Sequence, residues 1–397
     1  MPNIRRGMMA AAGAAGGTAN TPFPDSYVFA WGGNNKGGMM TGNTTTLCSP
    51  VQIGGKLYRT WTGGRGTSGV GTSGAVDTDE KLFTCGNAST GALGDGTTTD
   101  KSSPVQVGSA TDWAMIATGG KFDGARNFTH AAKTGGTLWS WGNSQDGCLG
   151  HGNTTAISSP IQIGSLTDWS DGEQSYENMR RISCGNKSTW VIKSDGTLWA
   201  WGDNGEGYLG DGTSTARSSP VQMGSATNWN IVNGYGGGVG AINNDGELWT
   251  WGWGATGRIM QGNTTNYSSP VQVGSSTNWT WWACSGGASA AINSAGQLFT
   301  CGNNGDGRLG LGNTTNYSSP VQVGSLTDWK YVEIVGNNMI AVKTDGTLWS
   351  WGAGNAAEGN PRNDAITVSS PVQVGSRTDW IFPAVGDSPA GAFNSAT

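Results

Sequence analysis

Leu198-Trp199-Ala200-Trp201-Gly202 is a five-residue phrase that the chain repeats at 138–142, 248–252 and 348–352, and with Phe and Cys in place of the two tryptophans at 82–86 and 298–302. A weaker seventh copy reads Val28-Phe29-Ala30-Trp31-Gly32. Side chains in the phrase alternate with a period of two, and Asp195-Gly196, Asp245-Gly246 and Asp345-Gly346 stand directly before it as turn signals. Each copy therefore reads as a strand entered through a tight turn. Nineteen residues after the Trp or Cys comes a proline, at Pro50, Pro104, Pro160, Pro220, Pro270 and Pro320, and at Pro371 after twenty. Nine residues beyond that stands another Trp, at Trp113, Trp169, Trp229, Trp279, Trp329 and Trp380, whereas the first repeat has Trp61 eleven residues on.

The period is 50 residues from Trp199 onward and 54 to 60 before it, too long for a leucine-rich or helical solenoid unit but enough for four short strands. Seven such units predict an all-β, seven-bladed β-propeller over 25–397. The last unit stops at Thr397 before its phrase, and 25–32 carries that phrase without preceding strands. The propeller is thus expected to be closed by both termini, with 1–24 as an extended N-terminal arm.

Composition narrows the function. Of 397 residues 69 are Gly and 20 are Trp, and charged residues make up 12%, about half the usual roughly 25%. Regularly spaced aromatic strands argue against disorder. No run of about 18 apolar residues predicts a membrane span, and a net charge of −5 gives no footprint for nucleic acid. With only His130 and His151, no Cys-x-x-Cys and no phosphate-loop motif, neither a catalytic constellation, a metal site nor a cofactor is expected. The Asp-Gly pairs 95–96, 195–196, 211–212 and 306–307 read as turns rather than calcium loops. Cys85 and Cys301 replace the strand Trp, and Cys184 and Cys284 share a frame two blades apart, so the thiols are expected to be free and mostly buried. His130 falls where other repeats have Trp190 and Ile340, and is expected to be packed.

The string Trp141-Gly142-Asn143, then Gly147, Leu149, Gly150 and Gly152, recurs at 201–212, 85–96 and 301–312. It resembles the repeats of the regulator of chromosome condensation family. The resemblance covers about 25–397 and implies the propeller fold. Family members include exchange factors for a small nuclear GTPase, but Phe128, Ser188, Gly238, Ala288 and Asn338 stand where the family's repeat histidine is usual. The Thr- and Asn-rich turns also look like those of propellers in tailed, including marine, phages, so the chain is expected to be a non-enzymatic virion structural protein.

Departures from the repeat mark candidate binding residues. Residues 170–181 lengthen one repeat by ten, and Tyr176, Arg180 and Arg181 are candidates there. Trp253 stands where other repeats have Asn143, Asp203 or Asn303, and is read as an exposed ring for a carbohydrate or protein. In the arm, Arg5 and Arg6 precede Met8, Met9 and a run of Ala and Gly too broken for a secretion signal. Ile4, Arg5, Arg6, Met8 and Met9 are therefore expected to anchor the chain on other virion proteins, with the propeller projecting from a tail toward a host glycan or protein. The rival readings are a free-standing glycan- or protein-binding module and a GTPase exchange factor.

Overall fold

The computed structural model describes residues 26–63, 70–120, 126–170, 180–355, 360–362, 366–384 and 390–395. The expected arm, 1–24, and Tyr176 lie outside the described residues. Each complete repeat folds as four antiparallel strands in chain order. In one of them, Trp229–Tyr235 pairs with Gly238–Asn243, which pairs with Leu248–Gly252, which pairs with Tyr267–Gln272. We number the blades by sequence: blade 1 spans 58–106, blade 2 113–162, blade 3 182–222, blade 4 229–272, blade 5 279–322 and blade 6 329–373. Blade 7 is made from both chain ends, with strand order Trp380–Ala384, Ala390–Ser395, Ser26–Gly32, Leu47–Gln52. Among the described residues this gives seven groups of four strands in a propeller-like arrangement.

The expected closure needs correction. Among the described residues no sheet closes on itself as a barrel would. Five blades are separate open sheets, and blades 7 and 1 share one eight-stranded sheet through the single pairing Ser26↔Tyr58. The termini meet inside that open sheet, from Ser26↔Ser395 to Trp31↔Ala390. The physical reason is that neighbouring blades meet mainly through side chains and loop hydrogen bonds rather than a continuous strand ladder. Each outermost strand keeps a free edge, and each carries the repeat proline, which removes a donor where another chain would pair.

The glycine string is the joint between blades. Gly147, at φ +78°, sits so close to the next blade that an added Cβ would lie 2.4 Å from Ser218 Cα. Gly150, at φ +80°, would meet the Trp201 indole at 3.0 Å. Gly152 N–H then donates to the Ser218 carbonyl at 2.7 Å, and Trp201 Nε1–H returns a bond to the Cys148 carbonyl at 2.9 Å. The motif thus brings one blade's loop onto the next blade's third and fourth strands. Burial of the strand indoles drives the joint, since each removes about 150–250 Å² from water.

A second repeated device lies toward the rim, at the end where the second and third strands turn. In blade 3 the Lys193 ammonium lies 4.9 Å from the Trp169 ring and 4.7 Å from the Trp199 ring, and 3.1 Å from Asp168. Blade 2 repeats it with Lys133, Trp113, Trp139 and Asp112, and blade 6 with Lys343, Trp329, Trp349 and Asp328. Blade 1 reverses the charges, placing Lys56 against Asp77 and over Phe83. In blades 2 and 6 the clasp ties the start of the first strand to the end of the second, and in blade 3 it ties the segment ahead of the first strand to the end of the second, through cation–π and ionic attraction.

Candidate interaction face

The first-to-second strand turns and the loops after the third strands emerge at one end of the blades, because the start of each second strand pairs with the end of the third, as Gly238 does with Gly252. Loop and turn are stitched together there: Asp203 N–H donates to Lys187 O, Trp253 N–H to Gly237 O and Asn303 N–H to Gly287 O. We call this the loop face.

Trp253 has 39% of its surface exposed, and the Arg258 guanidinium lies 4.2 Å from its ring. Arg258 is itself held by Gly236 O and Ala255 O, so the ring is fixed from beneath rather than loose in solvent. Beside it a cavity of about 210 Å³ is lined by Lys187, Trp190, Asp203, Tyr208, Tyr235 and the Gly236–Gly237 turn. Lys187 spans 2.9 Å to Asp146 and 3.9 Å to Asp203. Burial, aided by Asp203 and Glu206, pushes the Tyr208 hydroxyl up to about 12, which keeps it a neutral donor. The cavity thus offers an aromatic wall with one cation and one anion at its mouth. Such a mixture suits a protein or polar-ligand contact.

The other candidates fall elsewhere. Arg180 is buried at the centre of the ring, paired with Glu333 of blade 6 and with its guanidinium 4.7 Å from the Trp281 ring of blade 5. Trp281, Tyr331 and Phe382 complete an aromatic cluster with centroids 4.9 to 5.5 Å apart. Arg181 is half-buried, and its carbonyl accepts the Ile192 N–H. The structure therefore does not bring Arg180 together with Trp253. Between Trp61, Ile116, Arg180, Cys184 and Asn233 a void of only about 30 Å³ remains, room for about one water. Among the described residues these side chains pack closely around that void.

His130 is fully buried, 3.5 Å from Cys184 Sγ, and desolvation pushes its pKa down to about 3. It is neutral in the fold, whereas in the unfolded chain it titrates near 6.5. The unfolded state alone therefore takes up a proton as pH falls from about 6.5 toward 3, and stability is lost across that window. We expect the protein to lose on the order of 2 kcal/mol between pH 7 and pH 4.5 through this group. His130→Ile should reduce that pH-dependent loss by a similar amount in urea melts, and an unchanged pH dependence would refute it. All six cysteines are unbridged, five are buried, and burial pushes Cys85 and Cys301 up to about 12. Among the described residues no group of three His, Cys, Asp or Glu side chains is placed to hold a metal, and no helix is long and apolar enough to cross a membrane.

The family model for the regulator of chromosome condensation (RCC1) repeat matches residues 79–125, 135–192, 195–235, 245–292 and 295–340, more than half of the chain. The chain belongs to the RCC1 repeat family. It is 29% identical over 216 residues to the ultraviolet-B receptor UVR8 of Arabidopsis thaliana, covering 53% of this chain and 44% of UVR8. Human E3 ubiquitin-protein ligase HERC2 matches at 26% over 193 residues, 47% of this chain but 4% of HERC2. Mouse protein RCC2 matches at 37% over 91 residues, 23% of this chain and 16% of RCC2. The chain thus spans less than half the length of each of these relatives. Among solved structures, Prp20p of Saccharomyces cerevisiae superposes with TM-score 0.76 at 16% identity, covering 94% of this chain and 92% of Prp20p. Human WBSCR16 superposes with TM-score 0.78 at 17% identity, covering 93% and 99%. At these identities the structures support the fold alone.

These relatives overturn the phage assignment. They are proteins of mammals, a plant and yeast, so the virion location, the tail and host-attachment role and the virion-protein partners are withdrawn. The composition that suggested them has a local cause. Asn153 Oδ1 accepts Thr155 N–H, and Asn263, Asn313 and Asp211 do the same for Thr265, Thr315 and Thr213. Thr- and Asn-rich turns thus follow from side-chain-to-backbone bonding in the inter-blade loop and carry no information about source. The studies of Prp20p concern binding, to Gsp1p and histones in one case and to Kap60 in another.

Proposed function

We propose that the chain is a non-catalytic, regulatory protein-interaction propeller whose partner docks on the loop face of blades 3 and 4. The observation that carries the proposal is Trp253, a large ring kept partly in solvent by Arg258 next to the cavity of Tyr208, Lys187 and Asp203. Aromatic rings anchored in this way are the residues that dominate binding energy at protein interfaces. Regulation of a small GTPase is one form of this function, supported by family membership and by the binding of Prp20p to Gsp1p. The positions of the usual family histidine, Phe128, Ser188, Gly238, Ala288 and Asn338, are buried at the loop-face ends of the second strands. Another set of side chains would then do the contacting.

The test uses purified Gsp1p and histones as probes in biolayer interferometry with the full chain. Binding of at least one is expected, with Trp253→Ala weakening it roughly tenfold, as loss of an anchoring aromatic does. Binding indifferent to both Trp253→Ala and Tyr208→Ala would move the partner off this face. Binding of neither probe would remove the GTPase and histone forms of the proposal.

A further inference from the structure

Blade 4 lacks the lysine clasp of blades 2, 3 and 6. At the positions of Lys193 and Asp168 it has Asn243 and Asn228, and at the position of Thr197 it has Glu247. Where the ammonium would lie, a groove of about 680 Å³ opens between blades 3 and 4, lined by Trp229, Trp249, Asn228, Asn243, Asp245 and Glu247. Its polar groups are arranged around the missing cation. Glu247 Oε2 accepts Asn243 Nδ2–H at 2.8 Å and Trp249 Nε1–H at 3.3 Å, and Asp245 Oδ2 accepts Asn228 Nδ2–H at 2.7 Å. Asp211 also lines the groove, but Arg217 neutralises it at 2.8 Å. Asp245 and Glu247 have no ion-pair partner among the described residues. Blade 5 provides an internal contrast, because it too has Asn293 and Asn278 but carries Ala295 and Gln297 in place of the two carboxylates.

We infer that this rim groove receives a lysine side chain from a basic segment of a partner protein, which supplies in trans the cation that blades 2, 3 and 6 supply from within. The groove is complementary to such a side chain in charge and in shape. Two indoles and two unpaired carboxylates surround a space that, one blade earlier, holds an ammonium over two indoles. A short lysine side chain on a flexible backbone can enter from the rim, with its methylenes along Trp249 and its charge toward Glu247. The groove lies at the end of the third strand opposite Trp253, so this inference is independent of the loop-face proposal.

The experiment titrates the full chain into a short fluorescein-labelled peptide of alternating Gly and Lys, and into the same peptide with acetylated lysines, reading anisotropy at low salt. The lysine peptide should bind at least roughly tenfold more tightly than the acetylated one, and binding should weaken as salt rises. Transplanting the blade 3 clasp, Asn228→Asp with Asn243→Lys, should fill the groove from within and weaken binding roughly tenfold. Asp245→Asn with Glu247→Gln should do the same without adding bulk, and Trp253→Ala should leave binding unchanged. Asp195→Asn, which removes an exposed charge on blade 3, should also have no effect. Equal binding of the two peptides, indifference to the transplant, or an Asp195→Asn loss as large as that of the groove variants would overturn the inference.

Discussion

Cys301→Trp is expected to destabilise the propeller by about 3 kcal/mol, and Met260→Gly introduced into the same chain is expected to recover most of that loss. In blades 2, 4 and 6, which have Trp in the third strand, the preceding loop has glycine against the ring: an added Cβ on Gly94, Gly210 or Gly310 would lie 2.7 to 2.8 Å from the indole of Trp141, Trp251 or Trp351. Where the strand residue is Cys, the loop residue is methionine. Met40 precedes the blade of Cys85 and Met260 the blade of Cys301, both methionines are buried, and both adopt positive φ, 60° and 58°. A non-glycine residue in that region costs about 1–2 kcal/mol. The methionine fills the volume that the indole occupies elsewhere, which offsets that strain. Met260→Gly alone should therefore cost about 2–4 kcal/mol as a cavity, tempered by release of the strained backbone. A double-mutant cycle in urea should therefore return a favourable coupling of about 4 kcal/mol, the two single losses less the small loss left in the double variant. Additivity within about 0.5 kcal/mol would show that the two positions do not share one volume.

Arg180→Met should cost about 3–5 kcal/mol, because Glu333 would be left charged and buried with no cation beside it. Glu333→Leu in the same chain should restore the stability or raise it, since a buried ion pair repays little of its desolvation and an apolar pair in the same volume packs against Trp281 and Phe382. Guanidinium melts of the parent, both single variants and the double variant would read this directly. A single variant as stable as the parent would mean that the pair is hydrated and does not plug the ring. The pair joins blades 3 and 6, and the loss should reach both, which hydrogen exchange across 182–184 and 329–335 would register.

Much of the blade was legible in residues close together in the chain. Leu248 and Thr250 are buried and Trp249 is half-buried, as the alternation of the phrase suggests, whereas Trp251, on the face of Trp249, is buried beneath the preceding blade's loop at Tyr208 and Gly210. Asp195-Gly196 and Asp345-Gly346 turn between second and third strands, with the Asp carboxylate capping the following Thr N–H. The cysteine exchange was also written in the sequence, as Met40 ahead of Cys85 and Met260 ahead of Cys301, but it becomes readable only when loop and strand of adjacent repeats are known to touch. The rim groove left a trace of the same kind, the change from Lys193 to Asn243, which has meaning only beside Trp229 and Trp249. Trp253 stood out because it breaks its own repeat. Arg180 offered no comparable signal. A long insertion rich in charge reads as surface, and the residue's burial depends on a glutamate 153 positions away.

The sequence by itself determined the number of repeats, the strand phrase, the turn chemistry and the family, because each rests on spacings within one repeat or on the recurrence of one spacing. Tertiary structure alone decided that no sheet closes on itself, that the ring centre is filled by Arg180 and Glu333, and that one blade's missing lysine leaves an open, acidic groove. These depend on which side chains from distant repeats share a volume. A periodic pattern specifies the unit and its immediate neighbour, while the centre and rim are set by the positions at which units differ.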